Sequence, residues 1–475
     1  MKNLKRIGIF VLALFVTFSF CACGKKNNNN NNNPTNNGNS NLATKYTVTF
    51  AVDSAIYKTE EVVAGEKVKK PSNPTKNEFD FVGWYNGENR WIFEEDIVNS
   101  NLTLTAKFFG KNETVDENGN VIIKTKDDLV SYASDVKNFT KNVKLYADID
   151  LENIEWTQIG NYDYPFSAKF EGNGHWINNY KITRCDINQE CEMGFIGFFG
   201  VTVDAEISNL KLNNYSINIT LDISNKDDLI VVGGLSGFSA KTKIINCSTY
   251  RNISVSSNET AIGGLIGYAE SGVEISRCFS TGNINSVARG EYGASYAGGL
   301  VGDIYQDAII TDCYATGDVS ATSSGYRAYA GGLVGDTYNM ANEETVEISN
   351  CYATGKVYAT SSDDNAYAGG LIGFVYFNVV VNKCYATGNV TSFIDNHYYS
   401  NAGGLFGFVG SGTAVFNSCY RFNGQEILSN VGTNKGAICD EGNKTDMDTI
   451  YGFVSNNWNS DIWNFYENID PTLKI

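Results

Sequence analysis

The feature that most constrains this chain is a repeated pentapeptide. Gly-Gly-Leu-x-Gly begins at Gly233, Gly263, Gly298, Gly331, Gly369 and Gly403, so the spacings are 30, 35, 33, 38 and 34 residues. A recurrence in this range is typical of repeat architectures, in which each unit packs mainly on its neighbours. One unit would bury too little apolar surface to be stable alone, so the units must stack.

Each repeat consists of short segments with the pattern of β-strands. Glu347–Ser349, Cys351–Thr354 and Lys356–Thr360 are rich in β-branched and aromatic residues, and glycines interrupt them. No run of helical periodicity long enough for a crossover helix lies between the repeats, which excludes a sheet of βαβ units. Strands that recur with only short corners between them stack in parallel. The sequence therefore predicts an all-β fold, a parallel β-helix solenoid.

The second half of the repeat carries a family resemblance. Cys-Tyr-Ala-Thr-Gly ends the units at Gly317, Gly355 and Gly388, while the other units retain the cysteine with altered neighbours. With Gly-Gly-Leu-x-Gly, this pattern resembles the GLUG motif of bacterial surface proteins. The resemblance implies a right-handed parallel β-helix, which we expect over residues 111–440. Some members of the family are zinc metallopeptidases that cleave immunoglobulin A, and others are adhesins or surface proteins without known activity.

One cysteine in each repeat is expected to point into the solenoid. The six are Cys247, Cys278, Cys313, Cys351, Cys384 and Cys419. Buried, reduced thiols are favoured over disulfides, because the Cβ vectors of stacked cysteines are parallel and free cysteine packs as a small apolar residue. Cys185 and Cys191 flank a predicted loop, and the sequence leaves open whether they pair. A metal site is less favoured still, because no Cys-x-x-Cys occurs.

The N terminus has the pattern of a lipoprotein signal peptide. Residues 1–22 begin with basic side chains and continue in an apolar run too short to span a membrane. Ala22-Cys23-Gly24 resembles a lipobox, which implies cleavage before Cys23 and lipidation of that residue; ordinary secretion and an uncleaved anchor are the alternatives. Residues 23–43 form an asparagine-rich tract, which we expect to be a disordered tether.

A separate small domain is expected over residues 44–110. Its alternating segments, with Phe81-Val-Gly-Trp-Tyr85 and a closing Leu-Thr-Leu-Thr-Ala-Lys-Phe108, resemble the internalin-type B-repeat, a β-grasp domain of bacterial surface proteins that would serve here as a spacer. Trp84, Tyr85 and Trp91 could form a binding patch, but packing in the domain core is the favoured interpretation.

Both ends of the solenoid are expected to be capped. Thr125-Lys-Asp-Asp128 is a helix-start pattern, and Leu129, Tyr132, Ala133 and Val136 follow at helical spacing. A short helix here would cover the strand edges of the first turn. Residues 441–475 resemble the C-terminal closing segment of the family.

The search for catalytic chemistry finds little. The formal net charge of −17 disfavours binding to nucleic acid. The only two histidines, His175 and His397, do not form a His-Glu-x-x-His motif, so the peptidase activity of some relatives cannot be assigned to this chain. We predict no catalytic residue, no metal site and no cofactor.

Carboxylates are the only side chains in the sequence that we consider as candidates for catalysis. Asp303 and Asp336 follow Gly-Gly-Leu-Val-Gly in adjacent repeats and would stack on neighbouring turns, while Asp148 and Asp150 lie two apart on one strand. Paired acids could cleave glycosides or hold calcium. Solvated surface acids are the favoured interpretation on so acidic a chain.

Two series of tyrosines are the predicted ligand-binding residues. Tyr314, Tyr352, Tyr385 and Tyr420 each follow a ladder cysteine, so alternation directs them outward. A second series, Tyr296, Tyr329 and Tyr367, precedes the repeated glycines. Rows of exposed rings could stack on sugars or on a partner, but packing under loops, or stabilising the face alone, is the favoured interpretation.

Together these features predict a surface protein held to the membrane by its lipid anchor. Its leading function is that of a non-catalytic adhesin for a host surface protein or a glycan. The alternatives are a carbohydrate-active lyase or glycosidase on the β-helix, and a passive structural protein of the envelope.

Overall fold

A computed structural model of the chain describes residues 44–474, except 88, 186, 189–192, 221–228, 339–344, 377, 396–397, 411–413, 422–423, 431–457, 460 and 467–468. The predicted Cys23, Cys191 and His397, with the signal peptide and tether, lie outside the described residues. The described part is almost entirely β-structure, which confirms the predicted fold class. It consists of a parallel β-solenoid preceded by a small β domain.

Each complete turn of the solenoid contributes strands to four parallel sheets, which we number in the order that one repeat visits them, starting at the strand before Gly-Gly-Leu-x-Gly. Sheet I has strands Met193–Ile196, Leu229–Gly233, Glu259–Gly263, Ser295–Gly298, Ala328–Gly331, Ala366–Gly369 and Ser400–Gly403, with Ile187–Asn188 antiparallel at its edge. Sheet II has strands Phe199–Val203, Ser236–Ala240, Ile266–Ala269, Val301–Tyr305, Val334–Tyr338, Ile372–Val375 and Phe406–Val409.

Sheets III and IV complete each turn. Sheet III has strands Val121–Ile123, Val143–Leu145, Lys169–Glu171, Glu206–Ser208, Lys243–Ile245, Val273–Ser276, Ala308–Thr311, Val346–Ser349, Val379–Asn382 and Ala414–Asn417. Sheet IV receives two strands from each later turn. They are Ile149–Glu155, Trp176–Ile182, Lys211–Asn213, Ser216–Thr220, Ser248–Thr249, Ile253–Ser257, Phe279–Ser280, Ile284–Ala288, Tyr314–Ala315, Val319–Ser323, Tyr352–Ala353, Val357–Ser361, Tyr385–Ala386, Val390–Ile394, Tyr420–Arg421 and Ile427–Ser429.

The cysteine ladder lies inside the solenoid, as predicted. All six ladder cysteines are buried in one apolar core that extends from Ile123 to Cys419. The thiols are hydrogen-bonded: Cys313 Sγ, for example, donates to the carbonyl of Thr311 at 3.0 Å and accepts from the N–H of Cys278 at 3.4 Å. Burial raises the pKa of the Cys313 thiol well above its usual value, so the thiolate needed for oxidation is suppressed.

The corner before each ladder cysteine has one fixed backbone conformation. The preceding residues all have φ between 51° and 55°, in the left-handed region. They are Asn246, Arg277, Asp312, Asn350, Lys383 and Ser418. Asn and Asp tolerate this region better than other non-glycine residues, which explains the Asn-Cys of the repeat. The chain thereby turns from sheet III into sheet IV at the same point in every repeat.

The glycines of Gly-Gly-Leu-x-Gly serve close packing rather than left-handed backbone geometry. A methyl group at Gly302 would lie 2.6 Å from the carbonyl oxygen of Gly267 and 2.7 Å from backbone atoms of Ile262. Ile262 belongs to sheet I and Gly302 to sheet II, so the absent side chain lets these two sheets meet at a tight corner.

Replacing Gly302 by alanine is therefore expected to destabilise the solenoid by about 1–3 kcal/mol, since backbone atoms must move to admit the methyl group. Urea unfolding monitored by circular dichroism measures the loss. Gly110→Ala is the matched control, because its methyl group would meet only the flexible side chain of Glu113, at 3.5 Å or more. Equal midpoints for the two variants would contradict the packing account.

The predicted helix covers the first turn. It spans Lys126–Ala133 and is followed by a 3-10 turn at Val136–Asn138. Thr125 and Asp128 form a capping box. Leu129, Tyr132 and Ala133 pack into the solenoid core, whereas Val136 lies beyond the helix and is exposed.

The small domain is a mixed sheet with strands Lys45–Val52, Ala55–Val63, Phe79–Asn86, Asn89–Arg90 and Leu102–Gly110. Trp84 and Trp91 lie in its own core, which confirms the packing interpretation. Tyr85 is buried at a junction with the solenoid, where it clusters with Tyr146 and its hydroxyl accepts a hydrogen bond from Asn173 at 2.8 Å.

Further contacts join this domain to the first turns of the solenoid. The rings of Phe109 and Tyr146 meet edge to face at 4.4 Å, and Glu95 pairs with Lys211. Apolar side chains on one edge of the domain are thus buried against the solenoid, so the domain is docked on the first turns.

Candidate functional site

The first predicted series of tyrosines faces outward but is largely covered. Tyr314, Tyr352, Tyr385 and Tyr420, which we call the tyrosine ladder, stack on sheet IV, with ring centroids 4.8 Å apart between Tyr314 and Tyr352 and 4.9 Å between Tyr352 and Tyr385. Tyr314 is half-buried, whereas the other three are buried. Side-chain alternation correctly predicted that these rings point away from the core. It did not predict that other residues cover them.

The cover is the C-terminal hairpin, formed by strands Trp463–Tyr466 and Ile469–Leu473. Trp463 lies 6.0 Å from both Tyr352 and Tyr385, and Trp458 packs on Trp463 at 4.5 Å. The Tyr385 hydroxyl also donates to the carbonyl of Pro471 at 2.5 Å. The described part of the predicted cap thus covers the flank of the last turns, and Tyr352 and Tyr385 present almost no free surface.

The second series lies where sheets I and II meet. Tyr296 is half-buried, and Tyr329 and Tyr367 are buried; we call them the corner tyrosines. Their rings touch outward-facing residues of sheet II, with Tyr329 and Tyr367 at 5.3 and 5.1 Å from Phe374. They form one wall of the corner between sheets I and II, and they pack against neighbouring rings instead of forming an exposed row.

A longer row of rings, most of them on sheet II, runs beside this corner and was not predicted from the sequence. We call it the aromatic track: Tyr162, Phe195, Phe238, Tyr268, Tyr305, Tyr338 and Tyr376. Consecutive centroids are 5.0–6.3 Å apart, and every contact is stacked except the edge-to-face contact of Phe195 with Phe238. All seven rings are half-buried, so each keeps an accessible part. At the strand spacing of about 4.8 Å the track extends roughly 25–30 Å.

A signal for the track exists in the repeats, but it changes position. Phe238 and Tyr268 directly follow Gly-Gly-Leu-x-Gly, whereas Tyr305 and Tyr338 follow it three residues later. Residues two apart on a strand share a face, so both positions point to the same side of sheet II. Only the stacked structure joins them into one row.

Asp303 and Asp336, the acid pair, occupy the first of these positions in the two central turns. They are directly paired in the sheet, with Tyr268 before them and Phe374 after them in the same row. Their stacking on neighbouring turns was predicted, but their burial was not. Asp303 is 9% and Asp336 5% exposed, and one carboxylate oxygen of each is buried without a hydrogen-bond partner among the described residues.

This environment favours the neutral form of the acids. Burial and the neighbouring carboxylate of Glu259 raise the pKa of Asp303 to about 7. Burial and the charge of Asp303 likewise raise the pKa of Asp336 well above its usual value. Removing a carboxylate from water disfavours its charge, and two stacked carboxylates repel each other. The acid pair is thus the most perturbed group of carboxylates in the corner between sheets I and II.

Asp148 and Asp150 have ordinary structural roles. Asp148 accepts hydrogen bonds from His175 Nδ1 at 2.9 Å and from the N–H of Trp176 at 3.1 Å. Asp150 accepts one from Asn179 at 2.8 Å. Burial raises the pKa of Asp148, but these hydrogen bonds outweigh it and hold the pKa below its usual value. The carboxylates of these two residues are hydrogen-bonded, and they do not form a second acid pair.

Within the described residues, no three His, Cys, Asp or Glu side chains are grouped so as to hold a metal ion. None of the described helices is long and apolar enough to cross a bilayer.

Comparison with known proteins identifies two segments. Residues 46–107 match the Listeria-Bacteroides repeat domain and residues 293–320 match the GLUG motif, which confirms both resemblances. A stretch of 80 residues is 34% identical to a "Putative membrane protein" of Evansella cellulosilytica; it covers 16% of this chain and 12% of that relative. The fold resembles the crystal structure of a "putative immunoglobulin A1 protease" from Bacteroides ovatus, with a TM-score of 0.43 and 18% identity over 77% of this chain and 95% of that one.

Proposed function

We propose that this chain is a non-catalytic adhesin of the cell surface that binds a glycan along the aromatic track. The track carries the proposal, because half-buried rings at regular spacing form a continuous apolar strip against which successive sugar rings can pack. Aromatic rings offer a large apolar area and lose little conformational entropy when they bind. A host glycan, free or attached to a surface protein, is the proposed ligand.

Charge favours a sugar over a nucleotide on these rings. Bases also stack on aromatic side chains, but nucleic-acid sites combine stacking with a basic groove for the phosphates. This chain has a formal net charge of −17, and the acid pair lies beside the track. A phosphate backbone would be repelled, whereas an uncharged or basic glycan would not.

The proposed location is the outer face of the cell membrane. Lipidation at Cys23 would anchor the chain, and the asparagine-rich residues 23–43 would hold the domains away from the bilayer. The Listeria-Bacteroides repeat and the GLUG motif support this, because both resemble modules of bacterial surface proteins.

A glycan array tests the function directly. The purified full chain is applied to immobilised glycans, and both retained protein and released oligosaccharide are measured. We expect retention on a subset of glycans without release of product. Absence of retention on every glycan would contradict the proposal and would favour a structural role for the protein.

The acid pair favours one second candidate, a glycosidase or lyase. A carboxyl group with a pKa near 7 is suited to general acid or base catalysis at neutral pH. Release of product that is abolished in both Asp303→Asn and Asp336→Asn would establish this activity in place of simple adhesion.

A further inference from the structure

The acid pair lies in a crevice at the corner between sheets I and II, and aromatic rings supply most of its lining. Tyr268 and Phe374 precede and follow it in the row on sheet II, and Tyr305 and Tyr338 lie two residues further along its own strands. On sheet I, Tyr329 contacts Phe374 and stacks on Tyr296 at 5.0 Å. The two carboxyls are thus enclosed by rings of the track and by the corner tyrosines.

The charges around this crevice are predominantly negative. Glu259 contributes to the raised pKa of Asp303, and Asp303 and Asp336 in turn contribute, after burial, to the raised pKa of Tyr296. The cation that faces the pair is Arg327, which forms an ion pair with Asp364 at 3.3 Å and lies over the ring of Tyr326. The crevice therefore combines buried acids that lack full hydrogen bonding with tyrosine rings and a predominantly negative surround.

This combination is suited to an organic cation. An ammonium group is attracted to carboxylates, and the attraction is strongest where water is excluded. A cation placed against the unpartnered carboxylate oxygens would also satisfy groups that are costly to leave buried alone. The small exposed fractions of Asp303 and Asp336, 9% and 5%, admit a compact ammonium more readily than a planar guanidinium.

Resting on the glycan-binding function proposed above, we propose that this crevice binds the primary ammonium group of an amino-sugar unit in the glycan that stacks on the aromatic track. The sugar ring packs against the exposed edge of Tyr305 or Tyr338, and its amine points between the aromatic track and the corner tyrosines toward Asp303 and Asp336. The track supplies affinity for sugar rings in general, whereas the crevice selects units with a free amine over acetylated ones.

The pH dependence follows from the acid pair. The bound ammonium requires ionised carboxylates, and the pKa of Asp303 is raised to about 7. Arg327, which faces Asp336, opposes the rise, while Glu259 and the tyrosines Tyr268, Tyr296 and Tyr329 supply no positive charge. Affinity for the amine is therefore expected to increase from about pH 5 to about pH 7, whereas affinity for an uncharged glycan stays constant over this range.

The test compares three oligosaccharides on the full chain by isothermal titration: hexamers of glucosamine, of N-acetylglucosamine and of glucose. We expect the wild type to bind the glucosamine hexamer at least about tenfold more tightly than the other two. Asp303→Asn combined with Asp336→Asn is expected to abolish this preference while it retains binding to the acetylated hexamer. Glu66→Gln combined with Glu347→Gln removes two exposed charges elsewhere and is expected to keep the preference.

Each other outcome has a defined meaning. Equal binding of all three hexamers by the wild type, or a preference that survives in the double asparagine variant, would overturn the ammonium site but leave the track as a glycan surface. No binding of any hexamer would overturn both proposals. A lysine-rich peptide that binds as tightly as the glucosamine hexamer, and only with both aspartates present, would overturn the assignment to an amino sugar.

Discussion

Replacing Asp303 with asparagine is expected to make the solenoid more stable at about pH 8 and to leave its stability almost unchanged at about pH 4. The raised pKa of Asp303 means that the unfolded chain loses this proton near its ordinary pKa of 3.8, while the folded chain keeps it until about pH 7. Between these values the folded state binds more protons, so its stability falls as pH rises. Asparagine carries no titrating proton, so it removes this loss of stability at high pH.

Urea unfolding of the wild type and of Asp303→Asn, each at the two pH values, measures this effect. The difference between the two proteins isolates the acid pair, because every other titrating group is common to both. Glu347→Gln is the control: its exposed carboxyl lies on sheet III, so no gain at high pH is expected. Unfolding midpoints of Asp303→Asn that follow the wild type at both pH values would show that the acid is solvated rather than buried.

Replacing Trp463 with alanine is expected to release the C-terminal hairpin from the tyrosine ladder. Trp463 is 1% exposed and packs on Tyr352, Tyr385 and Trp458. Truncating a buried tryptophan to alanine costs about 3–5 kcal/mol. Because contacts in a solenoid are mainly between neighbouring turns, the loss should be confined to the hairpin and the ladder beneath it.

Hydrogen exchange measured by mass spectrometry locates the effect. In Trp463→Ala, the amides of strands Trp463–Tyr466 and Ile469–Leu473 are expected to lose protection, while Val357–Ser361 and the other strands of sheet IV that do not carry the tyrosine ladder keep theirs. Trp463→Phe retains a ring in place and is expected to remain protected. Uniform loss of protection over the whole solenoid would contradict local release.

The fold could be predicted because its determinants are local and repeated. The spacing of Gly-Gly-Leu-x-Gly predicted the solenoid, and the capping pattern of Thr125 and Asp128 predicted the helix. Cys313 and its counterparts were placed correctly because side-chain alternation along a short strand leaves only two directions, inward or outward. The need for glycine at position 302, in contrast, could not be predicted, because it arises from the backbone of Ile262 on the preceding turn.

The site was harder to predict because exposure depends on distant residues. Nothing near Tyr385 in the sequence indicates that Trp463 and Pro471 will cover it. The aromatic track was missed because its rings change position within the repeat between Tyr268 and Tyr305. Asp303 and Asp336 were correctly placed on neighbouring turns, but their burial depends on rings that another sheet brings to the corner, such as Tyr329.

The most direct test of the account is a comparison of Tyr338→Ala with Tyr314→Ala, using a glycan that the array retains. Both residues are half-buried members of stacked rows, but Tyr338 belongs to the aromatic track and Tyr314 to the tyrosine ladder. We predict that Tyr338→Ala weakens binding by about tenfold or more, as expected for the loss of a stacking ring, and that Tyr314→Ala leaves it unchanged. Loss of binding in Tyr314→Ala with full binding in Tyr338→Ala would place the ligand on the wrong face and contradict the account.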